Sequence, residues 1–207
     1  MKLVVIGATG GTGSQVVEQA LAASHRVTAL VRRPTAVTVQ HPRLEVIRGD
    51  VYEPATLAQP IRGKDAVVSA LGVTTTSPTT LFSTGIANIM QAMQFAGVRR
   101  LICISASGLD PGPGLLRWLA RQVLWLMFKE AYTDMARMEA VVKASDLDWT
   151  IVRPPRLTNG PHTRQYHVAV NQHLARGWSI SRADLADYII THLEDPQTYC
   201  AHVEVAH

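Results

Sequence analysis

A glycine-rich segment near the start of the chain has the spacing of a phosphate-binding loop. The pattern G-x-x-G-x-x-G lies directly after the apolar run at residues 3–6 and before a predicted helix. A turn at this place needs positive φ angles and a bare backbone, so that a pyrophosphate can approach the helix N-terminus. An ordinary turn is the alternative. We predict that the loop binds a dinucleotide through Gly7, Thr9, Gly10, Gly11, Thr12 and Gly13, the two Thr hydroxyls contacting phosphate oxygens.

Two arginines follow the second apolar run, in the sequence Leu30-Val31-Arg32-Arg33. A site for NAD usually has an Asp or Glu about 20 residues after the glycine loop, where it binds the ribose 2′-hydroxyl. No carboxylate is present at this point of the chain. Guanidinium groups form charge-assisted, often bidentate hydrogen bonds with phosphate. Arg32 and Arg33 therefore predict binding of NADP(H) through its 2′-phosphate, with a pair of solvated surface arginines as the alternative.

The ends of the next two apolar runs carry further candidate residues. The segment Arg48-Gly49-Asp50-Val51 places a carboxylate where adenine lies in a doubly wound sheet. The segment Ala70-Leu71-Gly72-Val73 permits close approach of a ribose to the backbone. Ser77-Pro78 then resembles a helix N-cap followed by Pro at the first helical position, with contact to the ligand as the alternative.

The elements that must position these residues alternate between strand and helix. Apolar runs separated by helical patterns are typical of parallel strands covered on both faces. We predict an α/β fold with a doubly wound parallel sheet (Rossmann), in one domain over residues 1–207, with a small C-terminal substrate lobe built mainly from 154–207. The predicted strands are 3–6, 27–31, 44–47, 66–70, 101–104, 150–152 and 203–205. Helices are predicted near 13–23, 54–59, 80–96 and 182–193, with a long helical region before 150.

Composition excludes several classes of protein. The 207 residues are 47% hydrophobic and 17% charged, which excludes a disordered chain. The net charge of +4 comes mostly from scattered arginines, which favours anion contacts over a nucleic-acid surface. No apolar run reaches the roughly 18 residues of a membrane span, and no secretory signal is expected. Two lone cysteines, Cys103 and Cys200, indicate a reducing, cytoplasmic setting. The eight His show no metal spacing, so no metal is expected.

Together these motifs resemble the atypical short-chain dehydrogenases of the NmrA-like, NAD(P)H-binding kind, and in particular their flavin-reductase branch. The resemblance covers nearly the whole chain and continues through Ser77-Pro78-Thr79-Thr80, Ser105-Ala106, Arg153-Pro154-Pro155 and Ile180-Ser181-Arg182-Ala183-Asp184-Leu185. It implies hydride transfer from NADPH to a flavin, tetrapyrrole, quinone or similar small-molecule acceptor. By position, it implies that the adenine half is held by the glycine loop, Arg32, Asp50, Val51, Leu71 and Gly72. It also implies that Ser105 and Pro154 lie beside the nicotinamide.

The chain departs from the family pattern where acid catalysts are expected. Short-chain dehydrogenases usually carry a catalytic Tyr with Lys four residues later, but Tyr132 is followed at that spacing by Ala136. Two His of the reductase branch correspond here to Met135 and Arg156. Hydride transfer to an electron-poor conjugated acceptor, with the proton from water or from Ser105, needs fewer catalytic side chains than carbonyl reduction. Ser105 is therefore the candidate catalytic residue, a plain strand-end hydroxyl being the alternative.

Arg156 follows the stiff Pro154-Pro155 turn and is the candidate substrate-binding residue. A guanidinium stays protonated in proteins, so Arg156 cannot donate a proton, but it can bind a carboxylate or phosphate on the acceptor. Pairing with Asp184 or Asp187 is the alternative.

The predicted function is NADPH-dependent reduction of a flat, conjugated small molecule. A non-catalytic NADP(H)-sensing regulator is the first alternative, and a sugar-nucleotide epimerase or dehydratase, which normally needs the Tyr-Lys pair, is the second.

An apolar stretch at 115–128 contains Trp118, Trp125 and Phe128. At 14 residues it is too short to span a bilayer and lacks the polar face of a membrane-surface helix. These rings could line a flat substrate pocket, form a dimer contact or pack in the core, so the chain is expected to be a monomer or a homodimer.

Overall fold

A computed structural model describes residues 1–73, 77–110 and 115–207 and, between 115 and 127, the side chains of Gln122, Trp125 and Leu126. The strands are β1 (Lys2–Ile6), β2 (Arg26–Val31), β3 (Leu44–Arg48), β4 (Ala66–Ser69), β5 (Arg100–Ile104), β6 (Asp148–Arg153), β7 (Arg156–Thr158), β8 (His167–Val170), β9 (Ser179–Ser181) and β10 (Ala201–Ala206). The helices are α1 (Gly11–Ala22), α2 (Ala58–Ile61), α3 (Leu81–Ala96), α4 (Leu115–Lys143) and α5 (Arg182–Thr191). The predicted alternation of strands and helices is confirmed.

Eight of the strands in the described chain form one sheet in the order β3-β2-β1-β4-β5-β6-β10-β8. All neighbours are parallel except β10 and β8. Along β1, Leu3 and Val5 pack into the apolar cluster on the α1 and α5 side, whereas Val4 and Ile6 pack into the cluster on the α3 and α4 side. Burial on both faces explains why the strands are almost continuously apolar. The predicted doubly wound parallel sheet is confirmed.

The start of α3 differs from the sequence prediction. The helix begins at Leu81, so the predicted N-cap at Ser77-Pro78 is wrong. A distant carboxylate replaces it: Asp134 of α4 is fully buried and accepts hydrogen bonds from the N–H groups of Phe82 and Ser83 at 2.8 and 3.3 Å. These N–H groups belong to the first helical turn and have no acceptor within the helix. The Asp134 carboxylate supplies that acceptor, at the helix end where the dipole favours negative charge.

Only part of the predicted lobe stands apart from the main sheet. Within residues 154–207, β10 pairs with β6 and β8 pairs with β10, so both strands extend the sheet. Helix α5 packs against α1 on the same side. The short parallel pair of β7 and β9, with the loops around it, lies next to the carboxyl end of β6. This small sheet is separate from the main sheet, and its role in a substrate lobe stays a prediction.

The loop after β7 is fastened to α5 through the buried carboxylate of Asp184. This carboxylate accepts hydrogen bonds from the N–H groups of Thr163 and Arg164, both at 2.7 Å. It also accepts from Ser181 Oγ and is 2.8 Å from His207 Nε2. Burial alone would raise the pKa of Asp184, but these partners hold it down, at about 2. The loop therefore depends on an ionised Asp184.

The two cysteines are separate thiols. Cys103 is buried in β5, where burial raises the pKa of its thiol, and Cys200 is exposed. The cytoplasmic location inferred from them stays a prediction. Within the described parts of the chain, no helix combines the length and the apolar character that crossing a bilayer requires.

Candidate cofactor and substrate site

The glycine loop forms a tight turn between β1 and α1 in which two of its glycines are required by the backbone. Gly7 has a φ of +81°, and a Cβ there would collide with the carbonyl oxygen of Ala70. A Cβ on Gly13 would collide with the carbonyl oxygen of Gly7. The Gly10 N–H donates to the same Gly7 carbonyl at 2.9 Å and closes the turn. The fold itself therefore accounts for Gly7 and Gly13.

The other two glycines are not required by protein packing. Gly10 has an ordinary extended conformation, and a Cβ there would have one near neighbour, the Gly7 oxygen at 3.3 Å. The three atoms nearest to a Cβ on Gly11 would all belong to the flexible side chain of Arg182. Thr9, Gly10 and Gly11 are exposed, whereas Thr12 is buried, so its hydroxyl is less accessible to a ligand than that of Thr9. The exposed backbone at Gly10 and Gly11 has no side chain, which fits close approach of a phosphate.

The N-terminus of α1 is electrostatically suited to that phosphate. Its first-turn N–H groups have no acceptor within the helix, and the helix dipole places partial positive charge there. The first turn contains no acidic side chain that would repel an anion. The loop and the helix end together fit the pyrophosphate of a dinucleotide.

A pocket of about 320 Å³ lies beyond the carboxyl ends of β2 and β3. Arg32 lines it together with Arg48, because the register pairs Val31 with Arg48 and so brings the two strand ends side by side. Arg33 is exposed and does not line this pocket, so its contact with a cofactor stays a prediction. The remaining lining residues are Gly49, Asp50, Glu53 and Thr56.

Sequence reasoning did not assign a role to Arg48. The signal was the parallel order of the strands: a residue ending β3 must lie beside the residue that ends β2. Each of the two guanidinium groups that line this pocket can donate two hydrogen bonds to a phosphate, although Asp50 and Glu53 line it as well.

The predicted adenine and ribose contacts lie close together. Asp50 lines the pocket described above, and its Oδ1 accepts a hydrogen bond from the Tyr52 N–H at 3.0 Å. The side chains of Val51 and Leu71 pack together, each about 3.1 Å from where a Cβ on Gly85 would lie. Val51 is buried and its carbonyl accepts a hydrogen bond from Asn88 Nδ2 at 2.8 Å, so its contact with a ligand stays a prediction. A Cβ on Gly72 would meet no described atom within 4 Å, which leaves its backbone open to a ribose.

Ser105 follows β5 and is buried, and its hydroxyl proton is already engaged. Its Oγ donates to Oε1 of Glu139 in α4 at 2.7 Å. Arg153, the last residue of β6, donates to the same carboxylate from Nε at 2.9 Å and from Nη2. Lys143 Nζ lies 3.1 Å from Oε2. Because its single proton is donated to Glu139, the Ser105 hydroxyl can act toward a ligand only as an acceptor.

This buried cluster carries fixed charges at neutral pH. Burial alone would raise the pKa of Glu139, but the hydrogen bonds and charge of Arg153, with smaller contributions from Ser105 and Lys143, hold it below its usual value. Burial would lower the pKa of Arg153, yet the same ion pair with Glu139 raises it. Neither group exchanges a proton near pH 7, so the cluster supports the site without serving as its acid. Sequence reasoning missed Glu139 because its partners come from two other elements.

Tyr132 is a packed aromatic residue. Its ring lies 6.2 Å from the rings of Trp125 and Phe128, edge-on to the first and tilted to the second. Its hydroxyl lies against Gly108, where a Cβ would be 2.8 Å from the oxygen. Burial raises the pKa of Tyr132 above its usual value, which makes the hydroxyl a poorer acid. The third ring of the apolar stretch, Trp118, lies outside the described side chains.

The turn after β6 leaves Arg156 free to meet a ligand. Pro154 is buried, and its carbonyl accepts a hydrogen bond from the Ser107 N–H at 3.0 Å, which fixes the turn beside β5. Arg156 is exposed and forms no ion pair with any described residue. The alternative pairing is wrong, since Asp184 is bound by the groups described above and Asp187 by Tyr166, His162 and Arg164.

The chain resembles known proteins along nearly its full length. It matches the family described as NAD(P)H-binding over residues 7–196. The uncharacterized chloroplastic protein At2g34460 of Arabidopsis thaliana is 32% identical over 215 residues, which cover 99% of this chain and 76% of that protein. The uncharacterized sugar epimerase YhfK of Bacillus subtilis is 28% identical, over 96% of this chain and 90% of that protein.

A solved structure has the same fold at lower identity. The short-chain dehydrogenase/reductase of Veillonella parvula, determined in complex with NADP, is 20% identical with a TM-score of 0.80, over 100% of this chain and 94% of that one. The likeness shows the Rossmann architecture. The family match spans the glycine loop and α5 and confirms the prediction of a nicotinamide cofactor, NAD(P)H. The chain therefore belongs to the NAD(P)H-binding family.

Proposed function

We propose that this protein is an NADPH-dependent reductase that transfers hydride to a flat, conjugated small-molecule acceptor of the flavin, tetrapyrrole or quinone type, with an anionic group. The observation that carries the proposal is the row of exposed cationic and glycine residues along the carboxyl ends of the strands. It runs from the two-arginine pocket, past the bare glycine loop, to the exposed Arg156 beside the Pro154 turn.

The preference for NADPH rests on the pocket lined by Arg32 and Arg48. Two guanidinium groups there favour a 2′-phosphate over the 2′-hydroxyl of NADH. NADPH should bind at least about tenfold more tightly than NADH, or by about 1.4 kcal/mol. Replacing Arg32 and Arg48 by Ala should remove the preference, whereas Arg26→Ala, at the opposite end of β2, is the control and should retain it. Equal affinities for NADPH and NADH in the unmodified protein, measured by calorimetry, contradict the proposal.

The site is suited to a reduction that needs no side-chain acid. Bound NADPH supplies a hydride, and an electron-poor conjugated ring accepts it without prior protonation. The overall reaction consumes NADPH, the acceptor and one proton, and yields NADP⁺ and the two-electron-reduced acceptor. Since Tyr132 is packed among aromatic rings and the Ser105 proton is held by Glu139, the proton comes from water. Ser105 serves beside the nicotinamide as a hydrogen-bond acceptor.

Arg156 anchors the acceptor. An exposed guanidinium without a carboxylate partner in the described chain keeps its charge available for a phosphate or carboxylate. Flavin mononucleotide and riboflavin share the same ring and differ in one phosphate, so they make a matched pair of acceptors. Arg156→Ala should raise the KM for flavin mononucleotide about tenfold and leave that for riboflavin unchanged. An equal loss for both flavins, or no loss for either, refutes the anchoring role.

Stoichiometric oxidation of NADPH tests the reductase proposal against its alternatives. The absorbance of NADPH is followed without oxygen in the presence of flavin mononucleotide, riboflavin or a neutral quinone. One NADPH consumed for each acceptor reduced supports the reductase. Binding of NADPH without oxidation by any acceptor overturns it in favour of a cofactor-sensing regulator, which the lack of a Tyr-Lys pair also favours. An epimerase, as YhfK is named, normally needs that pair.

A further inference from the structure

The side chain of Arg182, the first residue of α5, crosses the N-terminus of α1. A Cβ on Gly11 would lie 2.8 Å from its Cδ and 2.9 Å from its Nε. Gly11 is the first residue of α1, so the guanidinium of Arg182 lies at the helix end to which the pyrophosphate of the cofactor is assigned. The contact joins an element of the C-terminal half to the glycine loop, 171 residues away along the chain.

The position of Arg182 is fixed at both ends. Its backbone starts a helix that is capped by Ser181, whose Oγ accepts the Asp184 N–H at 2.9 Å. Its Nη1 donates to Oδ1 of Asn159, which follows β7, at 2.7 Å. The partner is a neutral amide, and Arg182 forms no ion pair with the residues that the structure describes. A guanidinium has five N–H donors, so most of its donors and all of its charge remain available.

We propose that Arg182 is a clamp on the pyrophosphate of the nicotinamide cofactor, donating hydrogen bonds to phosphate oxygens beside the first turn of α1. The guanidinium and the helix N-terminus place positive charge at the same point, where neither has an anionic partner among the described residues. The absence of a side chain on Gly11 leaves the space that Arg182 occupies. Because Arg182 also holds Asn159, cofactor binding is expected to stabilise the segment that carries Arg156.

The clamp predicts a pattern of affinities that separates it from the 2′-phosphate pocket. NADPH and NADH both contain the pyrophosphate, whereas adenosine 2′-monophosphate lacks it. Arg182→Met keeps the packing of the aliphatic stem and removes the charge. It should weaken NADPH and NADH alike, by about tenfold or more, and leave adenosine 2′-monophosphate unchanged. Arg32→Met should do the reverse: it should weaken NADPH and adenosine 2′-monophosphate and spare NADH.

Two controls distinguish a clamp from a packing residue. Arg26→Met removes an exposed arginine at the opposite end of β2 and should change no affinity. The melting temperature of unliganded Arg182→Met should equal that of the unmodified protein. Unchanged NADH affinity overturns the proposal, and so does an equal loss for all three ligands together with a lower melting temperature, because that outcome indicates packing between α1 and α5.

Hydrogen exchange gives a second readout that needs no turnover. Saturating NADH should slow exchange of backbone amides in residues 156–160 of the unmodified protein, and should slow it much less in Arg182→Met, because the link through Asn159 is lost. Equal protection in both proteins contradicts the link. All these measurements use binding alone, so they stand even if the reductase proposal fails for lack of NADPH oxidation.

Discussion

Glu139→Gln removes the charge at the centre of the buried cluster while keeping its size. In the unmodified protein the carboxylate accepts from Ser105 at 2.7 Å and from Arg153 at 2.9 Å, and Lys143 lies 3.1 Å away. The amide would turn an N–H₂ group toward Arg153 or Ser105 and leave the guanidinium, 5% exposed, without its counter-charge. Two other carboxylates lie near it: Asp110, at 3.8 Å and largely exposed, and Glu204 of β10, which has a smaller effect on Arg153 and is already bound by His173 and the Leu174 N–H. The site therefore retains a buried, poorly compensated cation.

The expected cost is about 3–5 kcal/mol of unfolding free energy, the range for removing one partner of a buried ion pair. Urea unfolding at neutral pH measures it, because the lowered pKa of Glu139 means that its contribution is lost as the pH falls. Lys143→Met is the matched control: its side chain is 42% exposed, so its loss should cost under about 1 kcal/mol.

A double variant isolates the interaction between the two buried charges. Combining Glu139→Gln with Arg153→Met removes both charges, so its cost should be well below the sum of the two single costs. If Glu139→Gln stays within about 1 kcal/mol of the unmodified protein, or if the two single costs simply add, the buried ion pair does not stabilise the site as argued.

Three further outcomes are expected. Asp184 has a pKa of about 2 when folded and 3.8 as its ordinary value, so its contribution to stability is complete above about pH 5 and declines toward pH 2. The loss of unfolding free energy in Asp184→Asn, measured in urea, should therefore shrink by about 1 kcal/mol between about pH 6 and about pH 3. A loss that stays constant over this range contradicts the prediction. Gly10→Val should fold but show no rise in melting temperature with NADPH, whereas Gly13→Val should not fold because of the Gly7 carbonyl; a normal NADPH shift in Gly10→Val rejects the loop as the site. Tyr132→Phe should leave kcat for NADPH oxidation within about twofold, since a catalytic acid would cost about a hundredfold or more.

Those parts of the fold that depend on local pattern could be predicted. Buried parallel strands must be apolar on both faces, so β1, β2, β4 and β5 stand out as continuous runs. The glycine loop is equally visible, because a turn with a positive φ at Gly7 and no room for a Cβ at Gly13 tolerates no other residue type. The short strands β7, β8 and β9 were missed, since three or four residues give too little periodicity to detect.

The supporting contacts of the site could not be predicted from local pattern, because they join residues far apart in the chain. Asp134 caps a helix that begins 53 residues earlier, and Glu139 meets Ser105 from 34 residues away. Each partner alone looks like an ordinary polar residue on α4. Arg48 differs from these residues. Its closeness to Arg32 could have been inferred, because the parallel pairing of β2 and β3 brings the two strand ends together. The approach of Arg182 to Gly11 depends on how α5 packs against α1, which only the three-dimensional structure provides.

Diffraction from crystals grown with NADP⁺ tests the cofactor site most directly. The expected density places the pyrophosphate at the first turn of α1 within hydrogen-bond distance of Arg182, and the 2′-phosphate between Arg32 and Arg48. The nicotinamide should lie beside Pro154, with open space above it that Arg156 borders. A 2′-phosphate directed to solvent, or a cofactor bound away from the glycine loop, would contradict the proposed site and the hydride transfer that depends on it.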